Sequence, residues 1–139
     1  MASIRKEIRI EAPIESIWEA VRDVGAVHTR LAPGFVVDTR LDDGARIVTF
    51  GSGVVAREVI VDIDDEACRL VWSVVGGRFT HHNASLQVFA DNGRGSRVVW
   101  IADLLPNELA GYIAGMMEQG MAVMKKTLEG SLAQSGTRG

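Results

Sequence analysis

The chain has 139 residues, 47% of them hydrophobic and 24% charged, which suits one soluble globular domain whose core is large enough to need no covalent staples. A formal net charge of -3 and a pI near 5.6 supply no basic stripe for phosphates, so nucleic acid is excluded as the expected partner. A single cysteine, Cys68, excludes an intramolecular disulfide and a multi-cysteine zinc site, and is read as a small buried apolar side chain.

Charges at Arg5, Lys6, Glu7, Arg9 and Glu11 break up the opening residues, leaving no signal-peptide or membrane-spanning stretch there; a cytoplasmic protein with no membrane partner is expected. In the same segment Ile4, Ile8 and Ile10 alternate with these charges, the period of a strand with one wet face. A helix follows, with Pro13 suited to its first turn and Ile14, Ile17, Trp18 and Val21 at helical spacing, ending at Asp23 and Gly25. A second short helix fits Val27 to Leu31 and stops at Ala32-Pro33-Gly34. Strands are then expected over Phe35–Leu41 and Arg46–Phe50, joined by the turn Asp42-Asp43-Gly44, and over Val54–Asp64, Arg69–Val75, His81–Ala90 and Arg97–Leu104.

Pro106 closes the last strand, and Asn107 to about Gln134 reads as one long amphipathic helix. Its stripe is Leu109, Ile113, Met116, Met117, Met124 and Leu128, with Gly120 in the middle. A glycine on that face leaves a notch and suggests a cavity beneath the helix. Residues 1–134 are read as a single domain and Ser135 to Gly139 as a flexible tail. The order of elements predicts an α+β fold in which a curved antiparallel sheet wraps the last helix.

Short turns allow a register to be inferred. Pairing Ile63 with Cys68 sets Val61 opposite Leu70, Val59 opposite Trp72 and Arg57 opposite Val74, which gives one mainly apolar face. Its odd member is Arg57, which needs an anionic partner, a place at a wet rim, or a β-bulge that turns it outward. Pairing Ala90 with Arg97 similarly turns His82 and Asp103 inward and Trp100 outward. The histidine and aspartate would then form an oriented acid–base pair, or line a rim and cap the strand end; a one-residue slip would exchange the faces.

Several chemistries find no support. Gly51-Ser52-Gly53 lacks the setting of a nucleophile elbow, and neither Gly76-Gly77 nor Gly93-Arg94-Gly95 has that of a phosphate loop. His81 and His82 are adjacent on a strand, face opposite ways and cannot chelate one metal together. No metal and no cofactor are expected.

The opening strand, Ala12-Pro13 before a helix carrying Trp18, Pro33-Gly34, Gly53-Val54-Val55-Ala56-Arg57-Glu58, Arg69-Leu70-Val71-Trp72-Ser73, Ser96-Arg97-Val98-Val99-Trp100 and the final helix resemble, in that order, the START-like or SRPBCC superfamily. The nearest likeness is to bacterial polyketide cyclase/dehydrase-like proteins. This resemblance implies a helix-grip fold: a seven-stranded antiparallel sheet curved around the C-terminal helix, two short helices at one end, and a deep apolar cavity. It carries no residue-by-residue catalytic signature.

Two functions follow as expectations. One is binding of a small hydrophobic molecule, with Val59, Val61, Leu70, Trp72, Ile113, Met116, Met117, Gly120 and Met124 as walls and Arg57, His82 and Asp103 orienting the ligand. The other is a cyclase or dehydrase acting on an aromatic or polyketide substrate, in which Arg57 stabilises an enolate, His82 moves a proton and Asp103 orients the histidine. A third class, a stress-response or interaction adaptor, rests on Trp100 and Phe89 as an exposed aromatic pair; monomer and homodimer both remain open.

Overall fold

A computed structural model describes residues 1–138, with side chains through Ser131. Seven strands, β1 (Ala2–Ile10), β2 (Val36–Asp42), β3 (Ala45–Phe50), β4 (Val55–Asp64), β5 (Arg69–Val75), β6 (His81–Ala90) and β7 (Ser96–Leu105), form one antiparallel sheet in the order β1-β7-β6-β5-β4-β3-β2. Helix α1 (Ile14–Arg22) and a short π-helical turn at Val27–Leu31 lie between β1 and β2. After a 3-10 turn at Asn107–Leu109, helix α2 (Ala110–Arg138) packs on the sheet, so the helix-grip architecture is the one observed. The tail expected at 135–139 falls beyond the residues whose side chains are described.

Local chemistry accounts for the turns and edges. Asp43 and Gly44 both have positive φ, at 46° and 77°, which makes the β2–β3 loop the two-residue hairpin that a twisted pair of strands prefers. β1 is an edge strand, and α2 packs along it: Lys125 donates to the Arg9 carbonyl at 2.7 Å, and just past the strand the Glu129 carboxylate accepts from the Glu11 N–H at 2.7 Å. Lys125 is therefore a tie between helix and sheet as well as a partner of Glu129 at 2.7 Å. The buried stripe of α2 is Ile113, Met117, Met121, Met124 and Leu128, with Met116 half-buried beside it. Met121 extends the expected stripe.

Two registers differ from the expected ones: β4–β5 by two residues next to the turn and by one beyond a bulge, and β6–β7 by one throughout. On β4 the pairs nearest the turn are Asp64 with Arg69 and Ile63 with Leu70. A bulge at Val61 then shifts the ladder, so that Ile60 faces Trp72 and Glu58 faces Val74. An extra residue in one strand exchanges that strand's faces. Beyond the bulge Ala56, Glu58 and Ile60 point inward, while Arg57, Val59 and Val61 point outward.

On β7 the strand begins at Ser96, which pairs with Ala90, so Leu86 lies opposite Trp100 and Ala84 opposite Ala102. Ser96 is fully buried because its hydroxyl donates to the Ala12 carbonyl at 2.7 Å. That bond draws into the sheet a residue expected in the loop. The slip turns Trp100 inward and Asp103 outward, and β6 keeps its predicted faces.

Candidate functional site

Between the concave face of the sheet and α2 lie two cavities. The larger, about 90 Å³, is walled by Trp72, Val74, Phe79, His82, Ala84 and Ala102 of the sheet side and by Tyr112, Ile113, Met116 and Met117 of α2. The smaller, about 60 Å³, lies toward Val27, Leu31 and Val48 and is closed by Gly120 and Met124. Phe35, Phe50, Glu58, Trp72 and Trp100 line both. Phe35 and Phe50 meet edge to face with ring centroids 5.5 Å apart, and Trp72 and Trp100 lie tilted at 6.2 Å.

The polar groups in these walls are few. Arg46 and Glu58 stand opposite each other on β3 and β4, both on the inner face and both more than nine-tenths buried. The Arg46 Nε donates to Glu58 Oε1 at 2.7 Å, and its guanidinium lies 5.3 Å from the centre of a Trp72 ring. Among the described residues no second donor meets the Glu58 carboxylate, although it borders both cavities.

His82 is a further polar group in these walls. Its ring lies 4.5 Å from Phe79, and its Nδ1 is buried without a hydrogen-bond partner among the described residues. Burial, with a smaller push from His81, lowers its pKa from 6.5 to about 4, so the imidazole is neutral at pH 7. Among the described residues no group of three His, Cys, Asp or Glu side chains is placed to hold a metal ion, and no helix is long and apolar enough to cross a membrane.

The structure brings only some of the expected residues to this space. Trp72, Ile113, Met116, Met117, Gly120 and Met124 border the cavities, and Leu70 is buried in the core beside them. Val59 and Val61 are on the outer face, Val61 well exposed. Arg57 is outside as well, donating to Asp42 Oδ2 at 2.7 Å. Asp103 pairs across the outer face with Asn83 and Ser3. The expected triad of Arg57, His82 and Asp103 is therefore not assembled: only His82 reaches the cavity. Trp100 is a cavity wall rather than a surface aromatic, and Phe89 is capped by the Arg97 guanidinium at 4.7 Å, so the exposed aromatic pair is absent. Cys68 is half-buried, not fully buried.

The notch at Gly120 is also occupied. A methyl group built there would stand 3.0 Å from Cε2 of Phe35 and 3.1 Å from Cζ3 of Trp100. The missing side chain admits two aromatic rings to the underside of the helix.

The sequence profile of the polyketide cyclase / dehydrase and lipid transport family matches residues 1–129. The chain belongs to this family. Among solved structures, a Thermobifida fusca protein studied by NMR in solution shares 27% identity at a TM-score of 0.75, covering 93% of this chain and 91% of that one. A START superfamily protein from Mycobacterium smegmatis shares 15% identity at a TM-score of 0.73, covering 95% and 97%. Norcoclaurine synthase from Thalictrum flavum, solved with dopamine and hydroxybenzaldehyde, shares 16% identity at a TM-score of 0.71, covering 96% and 87%. No curated protein matches the sequence.

For this member of the family, the outward positions of Arg57 and Asp103 make a direct prediction. Arg57→Ala and Asp103→Asn should each change stability by less than about 1 kcal/mol, as expected for half-buried polar groups on the outer face, and leave uptake of an apolar probe unchanged. Urea denaturation and a fluorescence titration check both parts; a large loss of uptake in either variant would return these residues to the site.

Proposed function

We propose that the chain binds a small aromatic molecule between the sheet and α2, with Glu58 as the principal orienting group and Arg46 and His82 beside it. The observation that carries this reading is a space walled by Phe35, Phe50, Trp72, Phe79 and Trp100 and bordered by one buried carboxylate with a single hydrogen-bond donor. Aromatic walls favour a flat apolar body, and an under-used carboxylate favours a ligand that offers an O–H or N–H. The family's link to polyketides and lipids and a synthase of the same fold that holds phenols support a ligand of this kind.

A catalytic alternative, of cyclase or dehydrase type, would ask His82 to exchange a proton near neutral pH. A base held at about pKa 4 is poorly matched to that task. Binding is the better-supported reading.

Matched ligands test it. Calorimetry should show p-cresol binding more tightly than toluene to the parent protein. Glu58→Gln should weaken p-cresol by about tenfold or more, the worth of a hydrogen bond to a charged group, while toluene changes little. No binding of either compound, or equal losses for both, would overturn the proposal.

A further inference from the structure

We propose that Phe35 is a movable partition that sets the size of ligand this pocket accepts: seated against Gly120 it divides the interior in two, and swung outward it joins the two cavities and opens them to the surface. The inference rests on the binding reading above. It begins from volume. Cavities of about 90 and 60 Å³ are each smaller than the roughly 150 Å³ apolar cavity known to admit benzene, so a ring-sized ligand needs the space between them.

The Phe35 side chain stands where that space would form. Together with Phe50 it borders both inner cavities and also an outer groove of about 530 Å³ between the loops at 34–35 and 50–52 and the first turns of α2. The backbone of Phe35 is held. Its carbonyl accepts from the Gly51 N–H at 2.9 Å, and the two loops touch so closely that a methyl on Gly51 would stand 2.5 Å from the Gly34 carbonyl oxygen. Motion is thus left to the side-chain torsions.

Glycines prepare both positions of the ring. Inward, the absence of a side chain at Gly120 makes the seat, because a methyl there would crowd Cε2 of Phe35. Outward, Gly34, Gly51, Gly111 and Gly115 border the groove, and beside Gly111 and Gly115 an added methyl would meet nothing within 4 Å. The ring is only half-buried in its inner position. If the open form is the minor one, the apparent affinity and association rate for a large ligand are reduced by its small population.

The test uses N-phenyl-1-naphthylamine, a neutral aromatic amine too large for either cavity alone, with association followed by stopped-flow fluorescence. Phe35→Ala removes the partition. Gly120→Ala keeps the ring but spoils its seat, and alanine favours the helix at that position. Both variants should take up the probe about tenfold faster or more than the parent, and p-cresol, itself a ring larger than either cavity alone, should also associate faster. Parent-like rates in both folded variants, with the probe bound, would overturn the partition and leave the binding reading standing. Absence of binding in the parent and both folded variants would overturn the binding reading, and the partition with it.

Discussion

Replacing Arg46 with methionine is expected to destabilise the protein by about 3–5 kcal/mol, the cost typical of removing one partner from a buried ion pair. Both members lie on the inner face, 5% and 7% exposed, joined at 2.7 Å. Without the guanidinium, Glu58 becomes an uncompensated charge in an aromatic wall. The double variant Arg46→Met with Glu58→Leu should recover most or all of the loss, since apolar replacements of buried pairs are often neutral or stabilising, and methionine can keep the contact with Trp72. Urea denaturation of the two single variants and the double gives the coupling directly.

The outcome also bears on function. If the apolar double variant is as stable as the parent, folding supplies no reason for a charged pair at that place, and an orienting role toward a ligand is the remaining reason. If the double variant is as unstable as the singles, the pair is a structural element, and the role given to Glu58 loses its main support. A cost below about 1 kcal/mol for Arg46→Met alone would mean that water reaches the pair, as at exposed sites.

Periodicity carried the architecture well. The alternation of β1, the hairpin at Asp43-Gly44, the strand segments and the stripe of α2 are local patterns, and the order of elements was enough to point to the family. Which residues face the cavity was not local. It depended on whether one extra residue sits in β4 and on whether Ser96 belongs to the loop or to the strand.

The bulge at Val61 exchanged Arg57 for Glu58, and the bond from Ser96 to the Ala12 carbonyl exchanged Asp103 for Trp100. One signal was available in the sequence. Arg46 and Glu58 both sit one step from apolar neighbours on adjacent predicted strands, and two opposite charges that can meet across a ladder fit inside better than one charge alone. The notch at Gly120 was legible as a missing side chain, but the rings that fill it come from Phe35 and Trp100, 85 and 20 positions away in the chain.

His82 gives the second large effect, through pH. Its imidazole titrates near 6.5 when unfolded and near 4 in the folded protein, chiefly because burial disfavours the charged form. Between those values the unfolded chain holds a proton that the folded chain does not, so acid draws the equilibrium toward unfolding. Above about pH 6.5 the imidazole is neutral in both states and costs nothing; the loss of stability grows as pH drops, at up to about 1.4 kcal/mol per unit, and levels off below about pH 4. The total is about 2–3 kcal/mol, the lower end allowing for solvent screening.

His82→Phe should remove this slope while keeping a ring against Phe79 and eliminating the unpartnered Nδ1. The variant is then at least as stable as the parent at pH 7 and clearly more stable at pH 5, where most carboxylates are still ionised and contribute little to the difference. Urea denaturation of both proteins at pH 7, 6 and 5 measures the gap. A gap that does not widen with acid would mean that His82 is hydrated in solution, and the neutral imidazole could then no longer be counted among the groups that orient a ligand in an apolar space.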